Sequence, residues 1–163
     1  MARSGPIVVG YDGTPSSDRA IRESGELLSG HPALVVVYKA GIGFELVEAP
    51  AASIGLPPAP IDIRTALEVD HAFAENAQRL AQQGAQLARE AGFDAEGLAI
   101  ADQPYLPIAE TIVDVANERD ASAVVVGAHG HGRLGEVLLG STSRDVIRRA
   151  GPPVVVVRAA DAD

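Results

Sequence analysis

Five short apolar runs, set apart by stretches of helical periodicity, restrict the fold more than any other feature of the chain. They are Ile7-Val8-Val9-Gly10-Tyr11, Leu34-Val35-Val36-Val37-Tyr38-Lys39, Ala95 to Ala101, Val124-Val125-Val126 and Val154-Val155-Val156-Val157. Four of them are dense in β-branched residues and run without polar alternation, the pattern of strands buried on both faces. The third is weaker, because Gly97 interrupts it. Between the runs, apolar residues recur at helical spacing. Asp18 to Leu28 carries Ala20, Ile21, Leu27 and Leu28, and Ala66 to Ala91 carries Leu67, Phe73, Ala77, Leu80, Leu87 and Ala88 before Gly92 stops it. Ile108 to Arg119 and Ser143 to Arg149 supply two more helices. Strand and helix in strict alternation predict an α/β fold: one doubly wound, five-stranded parallel sheet with helices on both faces. At 163 residues the chain holds a full core as a single domain, 1–163.

One segment does not fit the alternation. From Ala40 to Arg64 the chain is rich in alanine, glycine and proline, with Pro50, Pro57, Pro58 and Pro60 close together. Prolines at that density sustain neither a helix nor a central strand. We expect a flexible loop over 40–65, a flap beside the site rather than a domain boundary, since neither flank could form a core alone.

Charge and composition exclude several classes of function. A formal net charge of −9 leaves no basic face for a nucleic acid. With no cysteine, disulfides, thiolate metal sites and cysteine nucleophiles are ruled out. No apolar run reaches the length of a membrane span, and the first residues lead straight into a strand, so a cytoplasmic protein is expected. Lys39 is the only lysine and sits in no G-x4-G-K-[S/T] pattern, which excludes P-loop chemistry.

The most specific stretch is Val124 to Thr142. An apolar strand runs into a glycine-dense turn, then Gly140-Ser141-Thr142, then a helix. Glycine lets a ligand approach the backbone, and a helix start offers unpaired N–H groups and the positive end of its dipole. A phosphate cradle is the natural reading. A glycine-rich turn without a ligand is the plain alternative, but it leaves the hydroxyls after Gly140 without a purpose. Asp12, at the carboxyl end of the first strand, suits either a turn cap or a ligand to ribose hydroxyls.

Gly127, Gly130 and Gly140-Ser141 make G-x2-G-x9-G-[S/T], and by this pattern the chain resembles the universal stress protein family, in its ATP-binding branch. The likeness extends from the opening strand with Asp12 to the closing valines. It implies an adenine nucleotide alpha hydrolase-like sheet in the order 3-2-1-4-5. That order, unlike 2-1-3-4-5, brings Asp12 and the glycine turn to one crevice at the switch point. The resemblance also implies a nucleotide site made of Tyr11, Asp12 and Gly13, of Tyr38 and Lys39, and of Gly127, Ala128, His129, Gly130, Arg133, Gly140, Ser141 and Thr142. ATP is the expected ligand. Mg²⁺ would arrive with it and meet Asp12, since this ion takes few protein ligands. Arg133 and Arg144 are the cations near the phosphates. His129 and His131, two apart with no carboxylate at ligand spacing, make a poor metal site.

No triad or paired acid and base stands out, which suits a nucleotide-dependent regulatory or sensing module; its place in stress response is what the resemblance implies. A weak ATP hydrolase using His129 or Asp12, a binder of another adenylate such as cyclic AMP, and the branch that lacks the glycine pattern are the alternatives. Val154 to Val157 would form a sheet edge without a lysine or proline to blunt it. Pairing with a second copy, giving a homodimer, would cover that edge; a tail folded over it is the other solution.

Overall fold

The computed structural model describes residues 3–38, 63–100, 107–128 and 139–158. Along the chain the elements are β1 (Gly5–Gly10), α1 (Pro15–Leu28), β2 (Pro32–Tyr38), α2 (Ile63–Glu90), β3 (Asp94–Ile100), α3 (Ile108–Glu118), β4 (Ala121–Gly127), α4 (Ser141–Arg149) and β5 (Val154–Val157). The five strands form one parallel sheet in the order β3-β2-β1-β4-β5, as expected. Val8 in the middle of β1 pairs with Leu34 of β2 on one side and Val124 of β4 on the other. The sequence therefore leaves β1 in one direction and returns past it in the other. Right-handed crossovers then put α1 and α2 on one face and α3 and α4 on the opposite one.

Each face has its own core. Ile7, Val9 and Tyr11 meet Ile21 of α1 and Ala77 and Ala81 of α2. Val8, Val36, Val124 and Val126 meet Ile112 of α3 and Val146 of α4. Both sets are buried because the strands are covered on both sides, which is why the runs lack polar alternation. Each valine fully removed from water contributes roughly 1.5–3 kcal/mol.

Two boundaries differ from expectation. Residues 63–65 belong to α2 rather than to the loop, since no proline or glycine stands between Pro60 and Gly84 to stop a helix from starting there. β3 runs through Gly97 without a break. Lys39, His129, Gly130 and Arg133, and most of the 40–65 loop, lie outside the described residues. Among those described, no helix is long and apolar enough to cross a membrane.

Candidate functional site

At the carboxyl ends of β1 and β4, where the strand order reverses, the described walls enclose a cleft of about 90 Å³. Its apolar side is made by Val36, Val126, Ile108 and Ile112, with Gly10 between them. Its polar side is made by Asp12 and Ser17 from the β1–α1 turn and by Gly127, Thr142 and Ser143 from the β4–α4 connection. A larger hollow, about 550 Å³, follows the first turns of α2 past Arg64, Leu67, Glu68 and His71. All four are exposed and on one helix, so among the described residues no groups from separate elements converge there. The smaller cleft is the candidate, because ligands in open α/β sheets bind at the switch point.

The β1 side is a closed hydrogen-bonded turn. Thr14 is the N-cap of α1, and its Oγ1 accepts from the Ser17 N–H at 3.3 Å. The same hydroxyl donates to Asp12 Oδ1 at 2.6 Å, and the Thr14 N–H donates to that oxygen at 3.0 Å. Gly13, at φ +75, makes the sharp bend between them, a backbone region that glycine enters without strain. Of the two roles expected for Asp12, the carboxylate fills the first, bracing the turn, and the residue also lines the cleft.

Tyr11, expected at the nucleotide, is one of the residues lining the cleft. Its ring also belongs to the core shared with α1 and α2, only 5% exposed, and its hydroxyl donates to Asp18 Oδ1 at 2.8 Å. Burial foremost, then that hydrogen bond and the Asp18 and Asp12 charges, push the phenol above its ordinary value, against a smaller pull from Arg22. It remains a protonated donor. The reason for its direction is strand alternation: Tyr11 shares parity with Ile7 and Val9, whose face α1 and α2 cover.

The β4 side is built differently. The Ala128 N–H donates to Val157 O, and Ala128 O accepts from the Gly140 N–H at 2.7 Å. Gly140 is the N-cap of α4, extended at φ −56 and ψ 158. Its amide, expected among the phosphate donors, is thereby spent on closing the connection. The uncovered amides lie one residue further on. Ser141, Thr142 and Ser143 open the helix, and among the described residues their N–H groups have no acceptor; the first helical bond is Arg144 N–H to Gly140 O. The α4 start has no side-chain cap and no acidic residue in its first turn, while Arg148 and Arg149 sit in its last. The missing cap and acid leave the positive end of the dipole at the cleft uncompensated among the described residues, while the two arginines complement the negative end.

Gly127 also has a different neighbour from the one its motif position suggests. A Cβ there would stand 2.6 Å from Ser16 Oγ and 3.0 Å from Ser16 O, so its missing side chain admits the first turn of α1. Arg144, a candidate phosphate partner, donates from Nη2 to Leu139 O at 3.0 Å and braces the entry to α4. Ser141 is exposed and outside the cleft wall, whereas Thr142 and Ser143 line it. Ser143 and Ser17 were not singled out from sequence. Nothing local marks them, since both are serines in first turns where capping is the ordinary role. Ile108 and Ile112 were visible as the apolar stripe of α3, but a stripe carries no sign that its first turn walls a cleft. Among the described residues no three His, Cys, Asp or Glu side chains group as for a metal ion. Among the described residues Asp12 is the one carboxylate in the cleft wall, a donor set that fits only a metal bringing other ligands with it.

Residues 4–158 match the profile described as the universal stress protein family. A universal stress protein of Mycolicibacterium smegmatis is 33% identical over 156 residues, covering 95% of this chain and 48% of the relative. Another, of Methanocaldococcus jannaschii, is 28% identical over 91 residues, covering 56% of this chain and 54% of the relative. The chain spans about half the length of these curated relatives. Among solved structures, the universal stress protein from Archaeoglobus fulgidus in complex with dAMP is 25% identical, with a TM-score of 0.63 over 95% of this chain and 98% of that one. The sheet order, the switch-point cleft and these matches agree, and the chain belongs to the universal stress protein family.

Proposed function

We propose that the chain is an ATP-binding module of its family, with the phosphates resting on the first turn of α4. The observation that carries this reading is the trio of unpaired amides at Ser141, Thr142 and Ser143, beside a cleft with apolar walls. Such a helix start receives an anion without further help, and charge–dipole terms there contribute roughly 0.3–1 kcal/mol each, up to about 2 when partly buried. The apolar walls suit a base ring. Asp12, held in place by Thr14, faces the ribose hydroxyls or, together with phosphate oxygens, holds Mg²⁺. By the spacing of the glycine motif, His129, Gly130 and Arg133 complete the phosphate contacts, and Tyr38 and Lys39 meet the base through their backbone. With no acid–base pair among the described residues of the cleft, the nucleotide acts in this reading as a signal of cell state in stress response rather than as a substrate.

The Archaeoglobus relative solved with dAMP favours a second reading, in which an adenylate with one phosphate is the ligand. A thermal-shift series with ATP-Mg, ADP, AMP, cyclic AMP and dAMP separates the two. Ligand at about a hundred times its dissociation constant adds roughly 2.7 kcal/mol, or on the order of 5–11 °C for a chain of this size. The largest shift with ATP, without ADP appearing, supports the first reading. ADP formed at a steady rate supports a hydrolase, and no shift with any adenylate refutes both nucleotide readings.

The module also pairs with a second copy through β5. The two sheet edges are unequal: β3 bears exposed Asp94 and Glu96, whereas β5 offers valines alone, half-buried from Val154 to Val156. Charged residues discourage strand addition at an edge, and their lack invites it. Val156→Glu is expected to halve the mass seen by light scattering, and a monomeric wild type at high concentration rules the dimer out.

A further inference from the structure

Three hydroxyl residues follow Gly140 in a row, and the structure gives them three different surroundings. Ser141 is exposed, Thr142 is half-buried at the cleft, and Ser143 is buried, 4% exposed. The Ser143 hydroxyl donates to the carbonyl of Gly127 at 2.6 Å, a short bond between the first turn of α4 and the last residue of β4. A serine hydroxyl has one proton to give. Since a phosphate oxygen only accepts, Ser143 has no hydroxyl proton left for it, although its residue lines the cleft. Thr142 has no such commitment among the described residues.

The bond sits where three elements meet. Gly127 ends β4, abuts the first turn of α1 through Ser16, and receives the first turn of α4 through Ser143. Of the other bonds of α4 at this end among the described residues, Gly140 N–H to Ala128 O joins the residue before the helix to the end of β4, and Arg144 Nη2 to Leu139 O joins an exposed side chain of the helix to the segment entering it. Neither ties the first turn itself to the sheet, and the next buried residue, Val146, packs a turn further on. The Ser143 bond supplies that tie, and the roll of the turn about its axis decides where the amides of Ser141, Thr142 and Ser143 point.

We propose that Ser143 is a positioning residue of the nucleotide site: its hydroxyl, bonded to the Gly127 carbonyl, holds the first turn of α4 so that the unpaired amides converge on the phosphates. The proposal rests on the nucleotide reading above. It differs from a direct contact, because Ser143 acts on the ligand through the helix, and from a packing role, because it affects the phosphate end of the ligand alone.

Titration calorimetry of wild type, Ser143→Ala and Ser143→Thr with ATP-Mg and with adenosine tests it. Adenosine lacks phosphates and does not depend on the amides. Ser143→Ala is expected to weaken ATP about tenfold, the size of a lost hydrogen bond carried to a charged group. Adenosine affinity stays within about twofold of wild type, and Ser143→Thr, which keeps the hydroxyl, recovers most of the ATP affinity. Should Ser143→Ala not fold, Ser143→Cys carries the same comparison, with a thiol that donates more weakly. Equal ATP affinity in wild type and variant overturns the proposal. So does an equal loss for ATP and adenosine, the mark of a purely structural role. A wild type that binds adenosine and ATP equally well overturns the phosphate reading itself, and the proposal with it.

Discussion

Helices α1 and α4 begin at the same cleft from opposite faces of the sheet, and the two starts are finished in opposite ways. At α1, Pro15 has no N–H to satisfy, Thr14 caps the Ser17 amide, and Asp18 places a carboxylate in the first turn. Asp12 adds a second carboxylate to the same turn. At α4 there is no cap and no acid, and three consecutive amides have no acceptor among the described residues. A helix start that satisfies itself has nothing to offer a ligand. One that does not either costs stability or is satisfied by an anion from outside. On the proposed nucleotide reading, the difference orients the ligand: the carboxylate turn suits hydroxyls or a metal ion, and the bare turn suits phosphate.

Making α4 resemble α1 should have the largest effect. Ser141→Asp puts a carboxylate on an exposed first-turn position, where the dipole favours it by roughly 0.3–1 kcal/mol. ATP affinity is expected to fall about 100-fold or more, because the carboxylate then stands beside the amides proposed for the phosphates and repels them. Stability in urea should rise while calorimetry shows the loss; stability and binding falling together would contradict the assignment. Gly127→Ala is expected to cost roughly 1–3 kcal/mol, as its Cβ presses on Ser16 from α1. If Gly127 served only ligand clearance, urea unfolding of the free protein would be unchanged. Thr14→Ala should cost about 1 kcal/mol by uncapping α1, with phosphate affinity little altered because α4 is untouched.

The smallest effect is a pH dependence. The folded Tyr11 phenol is held above its ordinary value of 10.0, so its contribution to stability is whole below that pH and is lost as pH rises past it. Urea midpoints between about pH 8 and 11 should fall more steeply for wild type than for Tyr11→Phe. Parallel curves would mean that neither burial nor the Asp18 bond raises the folded phenol above its ordinary value.

Much of the fold is legible in the chain, and the reasons are local. Val124 to Val126 and Val154 to Val157 can hardly be other than buried strands, and Gly92 and the proline pair Pro152-Pro153 mark where helices stop. The meeting of Asp12 with the β4–α4 connection follows once the strand order is chosen. What fails to read is long-range. Gly127 is explained by Ser16, from the far end of the sequence, and Ser143 by a carbonyl beyond the whole glycine connection. Tyr11, which serves both the cleft wall and the core, is hard to read for another reason. In a strand covered on both faces, polarity does not say which side chains look toward the cleft, although the parity of Ile7, Val9 and Tyr11 does. Likewise Gly140 reads as a donor by its place in the motif, while its amide is already taken by Ala128.

The most direct measurement is a ¹H–¹⁵N correlation spectrum of the labelled protein titrated with ATP-Mg. If α4 carries the phosphates, the amides of Ser141, Thr142 and Ser143 move together and furthest, downfield as charge-assisted bonds form, while the Ser17 amide, already bonded to Thr14, moves little. Shifts concentrated in the first turn of α1, with Ser141 to Ser143 unmoved at saturation, would contradict the account.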